Sequence, residues 1–154
     1  MAAVRYPPIE QLLPHRPPMI LIDRMIDATE TGSTCEVTIT PQTLFIESAG
    51  VPAFAGLEYM AQAVAAYGGY KSYLAGEPMA LGFLLGTPQL TTYCQFFHCG
   101  QTLQIQVTHV WGDNELMQFH GTIQDAHTGN LLQQAELNIF KPQDLQSYLH
   151  EIGR

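Results

Sequence analysis

The chain has 154 residues and a mass of 17.1 kDa, and it is read as a single domain over residues 1–154. Hydrophobic residues make up 46% and charged residues only 13%, which excludes a disordered chain and leaves too little polar covering for a lone monomer. Six basic residues against 14 acidic ones give a formal charge of -8, the wrong sign for nucleic acid or an anionic membrane surface.

Tyr6, Pro7 and Pro8 stand where the apolar run of a secretory signal would lie, so none is expected. Next, Pro8 to Leu13 reads as one or two helical turns stopped by Pro14. Met19 to Ala28 is strand-like, Thr34 to Thr40 is its alternating partner, and Glu30-Thr31-Gly32-Ser33 makes the turn between them. From Pro52 to Leu74 the alanines, methionine and leucines favour a helix, with Pro52 in its first turn. Its only charge before Lys71 is Glu58, and a helix apolar all round is expected to be buried all round. Ala61, Ala65 and Gly68 or Gly69 form a small-residue stripe where a sheet or second helix can approach closely. A bilayer span is excluded here, because the segment is short, carries Glu58 and Gln62, and has no basic cluster at its start.

Four more strands follow: Ala80 to Leu85, Thr102 to Trp111, Glu115 to Gln124 and Leu131 to Phe140. The last three form an antiparallel meander through turns at Gly112-Asp113-Asn114 and His127-Thr128-Gly129-Asn130. Lys141 to Ile152 is expected to close with a short helix. Two strands, a long buried helix and four strands outline an α+β fold in which a sheet wraps a helix.

Cys35, Cys94 and Cys99 are an odd number in a chain that needs no staples, so a reducing, cytoplasmic location is expected. The Cys94-His98-Cys99 spacing matches no standard zinc pair, and no metal is expected there. No cofactor is expected either, since phosphate-loop, Gly-x-Ser-x-Gly and His-Glu-x-x-His motifs are missing.

Glu58 is the sharpest chemical feature. An ionised carboxylate in an apolar helix without a cation at helical spacing is penalised by desolvation, which raises its pKa and suits a general acid. Gln62, one turn on, shares its face and can orient it. The alternative is a carboxylate that simply reaches solvent or a satisfied partner. His15 has Pro14 before it and Pro17 two residues after, a context equally suited to a positioned side chain or a plain turn. The other five histidines share no pattern and are read as surface. Asp23-Arg24 is read as a local ion pair worth under about 1 kcal/mol if exposed.

Leu13-Pro-His-Arg-Pro-Pro-Met-Ile-Leu-Ile-Asp23-Arg24 resembles the signature Leu-Pro-His-Arg-x-Pro-x-x-x-x-Asp-Arg of the FabZ-type 3-hydroxyacyl-acyl-carrier-protein dehydratases. Leu57-Glu58-Tyr-Met-Ala-Gln62-Ala resembles their helix signature, with Pro52 at the matching distance upstream. Phe83-Leu-Leu-Gly86 and Gly100-Gln-Thr-Leu103 are similar to the next two landmarks. The likeness covers roughly Ile9 to Phe140 and is strongest to the ApeP-like branch, small proteins of aryl polyene assembly. It implies a hotdog fold, a six-stranded antiparallel sheet around a long central helix, and pairing of two hotdogs as a homodimer or heterodimer. It also implies an acyl carrier protein as the partner that presents the thioester.

Carried over residue by residue, the resemblance makes Glu58 the catalytic acid. The family's basic member maps onto nothing, so the base would be His15 or a residue contributed by a partner chain, and Gln62, Pro52, Gly82 and Gly86 are the candidate substrate-binding residues. The family's usual histidine, in a Gly-His-Phe-Pro segment before the helix, has no counterpart in Leu44-Phe-Ile-Glu-Ser-Ala-Gly-Val-Pro52. Its basic strand after Phe-x-x-Gly has none in Thr87 to Phe97. Dehydratase, silent subunit supporting an active hotdog partner, and acyl thioesterase are the competing functions.

Overall fold

A computed structural model describes residues 5–80, 82–112 and 115–142. A short 3-10 turn at Ile9–Gln11 is followed by β1 (Arg24–Ala28), β2 (Gly32–Thr38), β3 (Val51–Pro52) and α1 (Ala55–Ala75). Then come β4 (Phe83–Thr92), β5 (Phe96–Phe97), β6 (Thr102–Trp111), β7 (Leu116–Asp125) and β8 (Leu131–Phe140). Six strands form one antiparallel sheet in the order β1-β2-β6-β7-β8-β4, and β3 pairs separately with β5.

The alternation read in the sequence decides which face packs inward. On β6, Leu103, Ile105 and Val107 are fully buried while Gln104, Gln106 and Thr108 point away. Phe119, Ile123 and Leu137 continue this inner face, and Tyr59, Met60, Ala63 and Ala66 of α1 press onto it. Each large side chain buried here contributes about 1.5–3 kcal/mol. The outer face is held by amide ladders, Gln124 Nε2 donating to Gln104 Oε1 at 3.0 Å and Gln118 Nε2 to Asn138 Oδ1 at 3.0 Å.

Several boundaries differ from the sequence reading. Pro52 is not in the first helical turn: it lies in β3 opposite Phe96, and the helix starts at Ala55. The first expected strand is cut to Arg24–Ala28, because Met19 and Leu21 give their backbone groups to the Gln62 side chain instead of a ladder. β4 runs to Thr92, well past Leu85, and its pairing with β8 shifts register around Gly86 and Pro88, as an edge strand tolerates. Arg24 does not pair with Asp23: its Nε donates to Glu36 Oε1 at 2.7 Å, while Asp23 accepts from the Thr38 N–H. The expected C-terminal helix lies outside the described residues apart from Lys141 and Pro142, as do Asp113 and Asn114. Among the described residues no helix is long and apolar enough to cross a membrane.

Candidate active site

The helix is buried on one face only. Ala55, Tyr59, Met60, Gln62, Ala63, Ala66 and Gly69 meet the sheet and the N-terminal segment, whereas Glu58 and Lys71 are exposed. The expectation of burial all round is therefore corrected. Alanine and glycine read as core in a sequence, but at 61, 65, 68 and 75 they form the floor of a cavity of about 530 Å³ between α1 and the ends of β4, β7 and β8. Phe83, Met117, Phe119 and Ile139 make its apolar wall.

Glu58 and His15 both line this cavity, brought there by elements far apart in sequence. Glu58 projects from the first turn of α1, and no hydrogen bond or ion pair engages its carboxylate among the described residues. Glu58 is exposed, so the desolvation expected of it is not supplied by the described residues. His15 is carried by a loop that Leu12 and Leu13, both fully buried, anchor to the core. Arg16 folds back on that loop, donating from Nη1 to Leu13 O at 3.2 Å and His15 O at 2.7 Å. His15 Nδ1 is buried without a partner, a cost of about 1–3 kcal/mol that a ligand in the cavity can relieve.

Gln62 lines the same cavity, but its amide is already used. Oε1 accepts from Leu21 N–H at 2.8 Å, and Nε2 donates to Met19 O at 2.6 Å. It clamps the loop after His15 to the helix, where the sequence reading had it orient Glu58. Gly82 lines the cavity beside Phe83. Gly86 lies at a register shift of β4 and Pro52 in β3, and neither is among the lining residues.

In the segment before the helix, Val51 is fully buried against β5, next to Pro52. His98 Nδ1 reaches Ala49 O at 3.2 Å and ties that segment down, His120 pairs with Glu136, and His109 contacts Gly112 O. The Tyr59 hydroxyl is buried without a partner, and burial, then the nearby Asp23 charge, pushes it up to about 12. It is a neutral phenol outside the cavity lining. Among the described residues no group of three or more His, Cys, Asp or Glu side chains is arranged to hold a metal. Sequence reasoning missed Lys71 and Lys141, which line the far end of the cavity; their signal was that they are the chain's only lysines.

This wrap of a six-stranded antiparallel sheet around one central helix is the hotdog fold. The model of the ApeP-like family, described as ApeP dehydratase, matches residues 7–150, and the chain belongs to that family. A chain of the dehydratase heterocomplex ApeI:P from Xenorhabdus doucetiae is similar at 26% identity and a TM-score of 0.88, covering 97% of this chain and 100% of that one. More distant likenesses show the fold alone. A hypothetical thioesterase protein with coenzyme A from Streptococcus pneumoniae has 9% identity and a TM-score of 0.61 over 77% of this chain and 84% of that one. Zebrafish thioesterase superfamily member 2 has 11% identity and a TM-score of 0.60 over 79% and 80%. No curated protein matches the sequence.

Proposed function

We propose that this chain is a subunit of a 3-hydroxyacyl-acyl-carrier-protein dehydratase acting on carrier-bound acyl or aryl polyene thioesters. The observation that carries the reading is that Glu58 and His15 bound one cavity in a chain of a dehydratase family. In the reaction a base removes a proton from C2, the C3–oxygen bond breaks, and an acid protonates the departing hydroxyl, giving water and a C2–C3 double bond conjugated to the thioester. Glu58 is the acid. His15, whose Nδ1 has no partner among the described residues, is the base, and a backbone N–H near Gly82 to Gly86 polarises the thioester carbonyl.

The site is completed by a second hotdog subunit. The exposed Glu58 needs a lid that excludes water, and β4 at the sheet edge pairs with β8 alone among the described strands, carrying exposed Leu85 and Leu90, with exposed Tyr93 just after it. A second reading, a silent subunit that shapes an active partner's tunnel, is favoured by the lack of histidine between Leu44 and Pro52.

The test is water loss from 3-hydroxyacyl-carrier protein, measured for the protein alone and then with a hotdog partner, in wild type and His15→Ala. A loss of about 10²–10⁴-fold in His15→Ala supports His15 as the base. An unchanged rate assigns the base to the partner.

A further inference from the structure

Burying a polar side chain costs stability unless its donors and acceptors are met, so each one in the core needs a reason. Among the described residues the buried ones are Ser33, Gln62 and Gln133, and each fastens α1. Ser33 Oγ donates to Ala63 O at 3.1 Å, and Gln62 ties the helix to the loop after His15 through Met19 and Leu21. Gln133 Nε2 reaches from β8 to Ala53 O at 2.9 Å.

Gln133 differs from the other two. It is 1% exposed, stands on the inward row of β8 with Ala135, Leu137 and Ile139, and its Oε1 is buried without a hydrogen-bond partner. On stability alone an apolar side chain suits that position better.

The bond that Gln133 does make falls where α1 begins. Phe54 at the N-cap gives the helix no side-chain cap, so the direction of the first turn has to be fixed by other means. Ala53 supplies them. Its N–H donates to Gln95 O at 2.9 Å, and its carbonyl accepts from Gln133 Nε2 and from Gly56 N–H, the latter at 3.0 Å. Gly56 lies in the first turn, from which Glu58 projects. Glycine at 56 also makes the approach possible, because a Cβ there would stand 1.9 Å from Gln133 Oε1 and 3.0 Å from Ile123 Cδ1. The anchor is firm, since Gln133 is paired on both sides, with Ile123 of β7 and Thr92 of β4.

We infer that Gln133 is a positioning residue for the reaction: through Ala53 O it fixes the entry of α1 and so the place of the Glu58 carboxylate at the cavity. It is not among the lining residues and acts without touching substrate. This rests on the dehydratase reading, in which Glu58 is the acid.

The test is water loss from 3-hydroxyacyl-carrier protein by the Gln133→Met subunit assembled with a hotdog partner. Methionine is of similar size and cannot donate to Ala53 O. The expected result is a kcat lower by about 10–100-fold with KM within about twofold of wild type, the loss that a shift of about 1 Å at a reacting group brings. The melting temperature is expected not to fall, because removing the unpartnered Oε1 offsets the lost bond. Gly56→Ala, which pushes the Gln133 amide aside from the helix, is expected to lower kcat in the same way. In a Glu58→Gln background Gln133→Met is expected to change kcat by less than about twofold, since no carboxylate is left to position. Amide exchange over residues 53–58, read by mass spectrometry, is expected to quicken by about tenfold in Gln133→Met while β6, β7 and β8 keep their wild-type rates. A wild-type kcat in Gln133→Met or Gly56→Ala, an equal loss with and without Glu58, a loss that follows a fall in melting temperature, or unaltered exchange over residues 53–58 would overturn the proposal. The two readings fail separately. A wild-type rate in Glu58→Gln alone removes the acid itself, whereas a slow Glu58→Gln beside a fast Gln133→Met removes only the positioning role.

Discussion

Gly68 and Gly69 are neighbours in α1 that answer to opposite demands. A Cβ on Gly69 would come within 1.9 Å of Leu12 O, a backbone atom that cannot move aside, whereas one on Gly68 would enter open space. Gly68→Ala is therefore expected to stabilise the fold by about 0.5–1 kcal/mol, and Gly69→Ala to destabilise it by about 1–3 kcal/mol. Thermal melts of the two variants check this; a Gly68→Ala protein that melts below the wild type would contradict it. The stripe is visible in the sequence with Gly68 or Gly69 as its end, but which one packs and which faces a cavity depends on the angular position of Leu12, and no local pattern encodes it. The same limit applies to Gln62. Its spacing from Glu58 is legible, while its two hydrogen bonds go to Met19 and Leu21, some forty residues away, and only the fold brings those groups together.

Strands with strict alternation were legible nearly to the residue, as in Thr102–Trp111 and Leu131–Phe140, because burial of one face fixes both period and register. Edges and entries were not. β4 continues through Pro88 because an edge strand needs partners on one side only, and the start of α1 shifts because Pro52 is taken by the pairing with β5. The β7–β8 connection was read as a turn, and its stability has a titratable keystone. Gln101 Nε2 and the N–H groups of Thr128 and His127 donate to the Asp125 carboxylate, holding it down at about 2. A folded pKa below the unfolded one contributes stability that is present above about pH 4 and lost as pH falls towards 2. Denaturant melts at pH 5 and pH 3 are expected to show a larger drop for the wild type than for Asp125→Asn. Equal drops would contradict the assignment.

At the scale of the whole molecule, the shortage of charge in the sequence leads to the expectation of a covered surface without saying where. The structure supplies a candidate in the β4 edge, where Leu85 is 60% and Tyr93 55% exposed and no charged side chain stands between Phe83 and Thr92. If a second hotdog subunit adds there, Leu85→Lys/Leu90→Lys is expected to dissociate the assembly at micromolar concentration by sedimentation. An unchanged sedimentation coefficient would move the interface elsewhere. The catalytic half of the site divides in the same way. Glu58 was legible as a lone carboxylate on an apolar helix, but its exposure was not, because none of the described residues covers it and a helical pattern does not encode what packs over its face.

The most direct test of the dehydratase account is the rate of water loss from 3-hydroxyacyl-carrier protein by the Glu58→Gln variant, assembled with the same hotdog partner as the wild type. With the acid replaced by an amide that cannot give up a proton, the rate is expected to fall by at least about 100-fold while the assembly and fold are unchanged. A Glu58→Gln complex that turns over at the wild-type rate would contradict the role of this chain's carboxylate in the reaction.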